Sequence, residues 1–222
     1  MKSILKIREI KHLTHDVLLI QTDRPDSITF QPGQAADIAI NLPDWSDQLR
    51  PFTFTSLPED DFLEFTIKTY PSHHAVTEKL LTLVAGDELI VHSVFGSITY
   101  KGEGIFIAGG AGITPFIAIF RHLEKEGSIG NNKLLFANKT SADIIQNTYF
   151  HTLLKDNFIN VLSKEQLKGY ESGYITTDII RKQQAADLKY YYLCGPPNMM
   201  DAIQKSLETL GVNEKYIVHE SF

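Results

Sequence analysis

Near residue 100 the hydrophobic rhythm of this chain changes, and one layer architecture cannot satisfy both halves. The first hundred residues read as short strands broken by turns: Ile4 to Ile10, Val17 to Thr22, Ala35 to Ile40, Arg50 to Ser56, Phe62 to Thr69 and Glu88 to His92. Phe62, Glu64 and Thr66 alternate with Leu63, Phe65 and Ile67, a period of two. This spacing predicts a small antiparallel β-barrel, interrupted by one helix over Thr77 to Val84 with Gly86 at its C-terminal cap. From Gly104 onward apolar strands (Gly104 to Ala108, Lys133 to Asn138, Asn157 to Leu162, Lys189 to Cys194, Tyr216 to Glu220) alternate with helical patterns (Pro115 to Glu126, Ala142 to Leu154, Thr176 to Gln184, Asn198 to Leu210). That alternation predicts an α/β, doubly wound parallel sheet. The loop Tyr100 to Glu103 is the expected boundary between domains at 1–100 and 104–222.

Composition narrows the chemistry. The stretch Gly104 to Phe120 is interrupted by glycines and by Thr114-Pro115 and falls short of the roughly 20 apolar residues of a membrane helix. The opening MKSILKIREIKH has no apolar core of a leader, so a cytoplasmic location is expected. The single cysteine, Cys194, rules out an internal disulfide and a four-cysteine iron-sulfur cluster within these 222 residues. Residues 1–100 carry 8 basic and 14 acidic side chains against 13 of each in 101–222, a balance unsuited to nucleic acid, which needs undiluted Lys and Arg. Lys2, Lys6, Arg8 and Lys11 are the dense basic cluster of the acidic half and read as protective charge on a solvated edge strand. The histidines lack metal-ligand spacing, and His73 and His74, as neighbours on an extended chain, point apart; no metal site is expected.

Three elements carry chemistry. Gly109, Gly110 and Gly112 follow a buried strand and precede a helix starting at Thr114-Pro115, where proline suits the first turn and Thr114 can cap it. Such a turn either brings backbone amides to a diphosphate at a helix N-terminus or is simply tight. In RPFTFTS, Arg50 offers a phosphate fork and Phe52, on the same face, a flat ring; the alternative is an ordinary strand with a solvated arginine. In YYYLCGPPNMM, Cys194 ends a strand at the rim where ligands of doubly wound sheets gather, or is a small buried hydrophobe.

Together these elements resemble the ferredoxin-NADP reductase superfamily of two-domain flavoproteins. Its Arg-x-Tyr-Ser/Thr motif is matched by Arg50, Pro51, Phe52 and Thr53, with Phe for Tyr. Its GGxGITP and CGPxxM motifs are matched by Gly109 to Pro115 and by Cys194, Gly195, Pro196 and Met199, and its Gly-x-x-Ser/Thr segment by His74, Ala75, Val76 and Thr77, with His for Gly. The resemblance implies FAD on the barrel, held by Arg50 through Thr53, Lys68, Tyr70 and Ala75 through Thr77. It implies NADPH or NADH on Gly110, Gly112, Thr114, Pro115, Lys139, Gly195, Pro196 and Met199. Catalytic roles would fall to Thr53 at flavin N5, Cys194, Glu220 beside the reacting atoms, and Phe222 over the flavin face. Strict alternation puts Thr53 opposite Arg50 and Phe52, so it must reach the flavin by local twist or at the strand's end.

The function implied is hydride transfer between NAD(P)H and flavin in a monomer, with electrons passed to a separate acceptor such as ferredoxin or flavodoxin. Alternatives are a diaphorase or flavin reductase acting on small molecules, and a nucleotide sensor without turnover. Asn138-Lys139-Thr140-Ser141, ending the second strand of the nucleotide half, supplies a lysine and two hydroxyls that suit the 2′-phosphate of NADPH.

Overall fold

The computed structural model describes residues 2–73, 75–96 and 98–219, so His74, Glu220 and Phe222 lie outside the described residues. Strands β1 (Ser3–Thr14), β2 (Val17–Asp23), β3 (Ala35–Ile40), β4 (Arg50–Thr53), β5 (Phe62–Lys68) and β6 (Glu88–Phe95) form an antiparallel sheet in the order β4-β3-β6-β1-β2-β5. A bridge between Phe54 and Phe65 joins its two ends, which closes a barrel and removes its exposed edges. Leu5, Ile20, Phe54, Leu63, Phe65 and Leu89 fill it without exposure.

β1 runs on to Thr14 because it serves two neighbours, β6 through Ser3–Lys6 and β2 through the residues after it. It is therefore an interior strand, and its basic residues are not edge protection. Arg8 reaches Asp61 at 3.5 Å and Lys11 reaches Glu9 at 3.0 Å, exposed pairs that contribute little in water. The expected helix is shorter than its pattern: α1 (Val76–Lys79) makes one turn and continues as 3₁₀ to Thr82. Gly86 does not cap it. At φ +101° it turns the chain toward β6 and donates its N–H to the Ile7 carbonyl at 2.9 Å, a conformation that favours glycine.

The second sheet contains β7 (Gly104–Gly109), β8 (Lys133–Asn138), β9 (Phe158–Leu162), β10 (Glu171–Ser172), β11 (Tyr190–Cys194) and β12 (Ile217–His219), all parallel, in the order β10-β9-β8-β7-β11-β12. The order runs outward from β7 in one direction and from β11 in the other, so the topological switch point lies between them. Helices α2 (Thr114–Lys125), α3 (Asn147–Leu154), α4 (Thr177–Gln183) and α5 (Pro197–Thr209) accompany it. Phe106, Phe116, Phe120, Phe136 and Phe150 belong to one apolar cluster and Ile105, Ile107, Leu135, Ile180 and Leu193 to another. Alternating strand residues fall into the two clusters, as a sheet covered on both faces requires.

The helix expected from Ala142 begins only at Asn147. Thr140 and Asp143 close a reciprocal capping box over a 3₁₀ turn, and Gln146, at φ +53°, breaks the run. Ser and Asp compete with the helix for its backbone groups.

The halves are joined tightly. The Tyr192 hydroxyl accepts from the N–H groups of Lys101 and Gly102, at 2.8 and 3.1 Å, and donates to the Gly102 carbonyl at 2.7 Å. Burial, outweighing those two donors, raises the Tyr192 pKa, so the hydroxyl stays protonated. Val17 from the barrel and Ile98 from the connection enter the apolar cluster of the nucleotide half.

Candidate active site

The Gly-rich turn and the strand that follows it in space are built around missing Cβ atoms. A Cβ on Gly112 would land on the Cys194 carbonyl, and one on Gly109 on the Met199 sulfur; one on Gly195 would lie 3.2 Å from the Gly109 nitrogen. Glycine at these points lets the β7–α2 and β11–α5 connections touch backbone to backbone at the switch point. Gly110 differs: at φ +52° its vacant side meets nothing within 4 Å, leaving room beside the turn for a ligand. Met199 thus packs beneath the turn, while Gly195 and Pro196 lead into α5, with Pro197 as its first residue. Cys194 is half-buried at the end of β11, paired with Ala108.

Thr114 does not act as the helix cap. It is the first α-helical residue, 8% exposed, and its hydroxyl donates to the Ala111 carbonyl at 3.1 Å. A 3₁₀ turn over Gly110–Ile113 precedes it, with Pro115 next. The N-terminal amides therefore belong to the glycine segment, where a diphosphate would meet both the helix dipole and the open side of Gly110.

On the barrel, Arg50 and Pro51 are exposed and Phe52 and Thr53 half-buried. Among the described residues the Arg50 guanidinium donates to the Leu49 carbonyl at 2.7 Å, which leaves most of its fork for an anion. Phe52 packs against the barrel core. The conflict over strand faces is relieved because β4 ends at Thr53: Phe54, fully buried, already pairs with β5. Ala75 is the N-cap of α1, Val76 is buried beneath it and Thr77 half-buried. Tyr70 is 42% exposed.

Lys68 is engaged elsewhere. Its ammonium lies 2.6 Å from Asp16, and His15 stands 3.6 Å from Asp16 and 3.7 Å from Asp143 of the other half. His15, Asp16 and Asp143 could approach one ion, but the lysine already supplies the cation. Burial pushes the Asp143 carboxyl up, yet Thr140, Lys68 and His15 together bring it below its ordinary value.

The residues expected to receive a 2′-phosphate are also engaged. Thr140 donates its hydroxyl and its N–H to Asp143, at 2.6 and 2.8 Å, and the Ser141 N–H donates to Glu165 at 2.6 Å. Lys139 remains exposed.

The sequence reading missed a polar cluster under α2. Glu64 on β5 is buried and accepts from Arg121 on α2 at 2.7 Å, from Thr55 at 2.9 Å and from Gln21 at 3.0 Å. Arg121 also donates to the Thr55 carbonyl at 2.5 Å. One turn on, Lys125 pairs with Glu59 at 2.6 Å. β5 itself lies against the Gly110–Ile113 turn, so the barrel meets the nucleotide half at the glycine-rich turn.

Comparison with known proteins agrees with this arrangement. The FAD-binding domain family matches residues 2–100 and the oxidoreductase NAD-binding domain family residues 106–205. The reductase component of propane 2-monooxygenase from Mycolicibacterium goodii is 29% identical over 98% of the chain, which spans 66% of that relative. A ferredoxin NADP+ reductase from Neisseria gonorrhoeae, solved with bound FAD and NADP, superposes with a TM-score of 0.85 at 17% identity, covering 99% of this chain and 98% of that one. The cytochrome b5 reductase domain of Ulva prolifera nitrate reductase gives 0.85 at 21% identity, over 99% and 97%. With the two family matches together spanning nearly its whole length, the chain belongs to the FAD-binding domain family in its first half and the oxidoreductase NAD-binding domain family in its second, and it shares the two-domain fold of the ferredoxin NADP+ reductase.

Proposed function

We propose that this protein is an FAD-dependent reductase that takes hydride from a nicotinamide nucleotide and passes electrons to a separate acceptor, with its domains dividing at residues 101–103. The observation that carries this reading is the meeting of the glycine turn with Cys194 and Gly195 at the switch point, against strand β5 of the barrel. Bound FAD supplies the ring that accepts hydride and releases electrons. Arg50 would hold its diphosphate, Phe52 would offer an aromatic face to its ring system, and the Thr53 hydroxyl, at the end of β4, would hydrogen-bond the ring edge. The amides of Gly110 to Gly112 receive the nucleotide diphosphate, and Cys194 stands at the rim beside the nicotinamide. Glu220 and Phe222 complete the reading from outside the described residues.

The acceptor is a protein with a one-electron centre, as relatives named for oxygenase, ferredoxin and cytochrome b5 systems support. The lone cysteine means these 222 residues hold no four-cysteine cluster of their own. No helix among the described residues is long and apolar enough to cross a membrane.

Purified protein should carry about one FAD per chain, and Arg50→Ala should weaken that binding tenfold or more, from a lost charge-assisted contact of roughly 1.5–3 kcal/mol. Flavin absorbance after dialysis measures it; equal retention by the variant would overturn the assignment of Arg50.

The nucleotide preference turns on Asp143 and Glu165. Two carboxylates occupy the N–H and hydroxyl of Thr140 and the N–H of Ser141, and their charge opposes a second phosphate beside Lys139. We therefore expect NADH to be preferred, the reverse of what Lys139-Thr140-Ser141 suggests in isolation. Glu165→Gln should move the kcat/KM ratio toward NADPH by about two- to fivefold, the effect of one solvent-screened charge. A wild-type preference for NADPH would refute it.

A further inference from the structure

We propose that Arg121 and Glu64 are positioning residues that set the separation of the flavin and nucleotide half-sites. This inference rests on the function proposed above. Arg121 belongs to α2, the helix whose preceding turn carries Gly110 and Gly112, and it donates from one nitrogen to both the Glu64 carboxylate and the Thr55 carbonyl. Thr55 lies two residues beyond Thr53 on the same chain. The guanidinium thus ties the segment that presents the flavin-side hydroxyl to the helix that begins at the nucleotide turn.

The other contacts of the pair hold it fixed. Glu64 is 3% exposed, with Thr55 and Gln21 on its oxygens, and its own N–H donates to the buried Ser56 hydroxyl at 3.0 Å. Arg24 bonds the Pro58 and Asp60 carbonyls of the same loop, and Lys125 holds Glu59. Two residues earlier on α2, Ile119 packs against Gly33, where a Cβ would strike the Ile98 carbonyl. If Arg121 lets go, the exposed Lys125–Glu59 pair, which contributes little in water, remains as a tie between this loop and α2, and the Thr55 end of the loop is freed to move relative to the helix. Hydride transfer needs near-contact of the reacting atoms, and a displacement of about 1 Å costs on the order of a hundredfold in rate. A joint at this place acts on the transfer step more than on the binding of either group.

The discriminating variant is Glu64→Gln/Arg121→Met. Glutamine can accept from Gln21 through its single oxygen and donate through its NH2 to the Thr55 hydroxyl oxygen, and it leaves no unpaired buried charge, so the variant folds even where Arg121→Met alone does not. FAD content, the dissociation constant of a non-reducible nicotinamide nucleotide measured by calorimetry, and stopped-flow flavin reduction are compared with wild type. Hydrogen exchange is followed in segments 50–56 and 110–116 of flavin-free protein. The proposal expects both dissociation constants within about threefold, flavin reduction at least tenfold slower, faster exchange in both segments, and recovery of most of the rate by Arg121→Lys, which keeps a donor there. Wild-type reduction by the double variant, or a loss confined to FAD or nucleotide affinity, overturns the proposal. Wild-type protein that binds no FAD, or whose flavin NADH and NADPH both leave oxidised, defeats the reductase assignment itself, and with it the positioning role.

Discussion

Replacing Gly112 with alanine should leave the protein able to bind FAD but poorly reduced by nicotinamide nucleotides. The added methyl would sit on the Cys194 carbonyl and against the Gly195 nitrogen, and neither backbone group can swing away as a side chain could. The β7–α2 and β11–α5 connections must then separate. Overpacking of this kind costs roughly 1–3 kcal/mol, a fall in Tm of several degrees for a chain of about this size. The larger effect is on function, because the displaced backbone is the one proposed to receive the diphosphate; on that proposal nucleotide affinity should fall tenfold or more. Gly195→Ala, whose Cβ comes no closer than 3.2 Å to the Gly109 nitrogen, should be the milder change. Flavin retention and nucleotide titration on the two variants check this. Unchanged nucleotide affinity in Gly112→Ala would mean that the ligand does not lie on this turn.

Arg121→Met is expected to be the most destabilising single change at the joint between the halves. It leaves Glu64, 3% exposed, as a buried carboxylate without its counter-charge, a loss that typically costs about 3–5 kcal/mol. The lower end applies, because Thr55 and Gln21 still donate to it. Adding Glu64→Gln should return most of that stability, since removing both charges is far less costly than orphaning one. Urea denaturation of the single and double variants gives the comparison. A single variant as stable as wild type would mean that water reaches Glu64.

Glu64 also marks the limit of what the sequence discloses. The alternation along Phe62 to Ile67 places Glu64 and Thr66 on the polar face of a barrel strand, which normally faces water. Both are buried: Glu64 is met by Arg121 of α2, Thr66 lies against the Thr55 hydroxyl, and β5 packs on the Gly110–Ile113 turn. Nothing local to β5 or α2 signals this, since an arginine in the middle of a helix is ordinarily on its solvated side. The strands and turns were legible because their signals are local: period-two alternation, glycines at sharp turns, proline in a first helical turn. The helix start at Asn147 was not, because the capping box at Thr140 and Asp143 competes with the periodicity of Ala142 to Leu154. The helix start at Thr114-Pro115 was legible, but the cap position falls one residue earlier, on Ile113, because Gly110–Ile113 already forms 3₁₀ structure. The site motifs were legible as chain segments, but the use of Thr140 and Ser141 by carboxylates depends on Glu165, which a strand and a loop bring back beside them.

The hydrogen bonds of Tyr192 bear on how such chains can be recombined. The connecting segment at Lys101 and Gly102 is secured by a side chain ninety residues further on, and the barrel loop is secured by Arg121 from beyond that same connection. Neither half carries the whole of its own fastening. A chimera that grafts this barrel onto a foreign nucleotide module would inherit a loose seam unless residues equivalent to Tyr192 and Arg121 travelled with it. Interchange of the two modules should therefore succeed at the level of folding before it succeeds at the level of turnover.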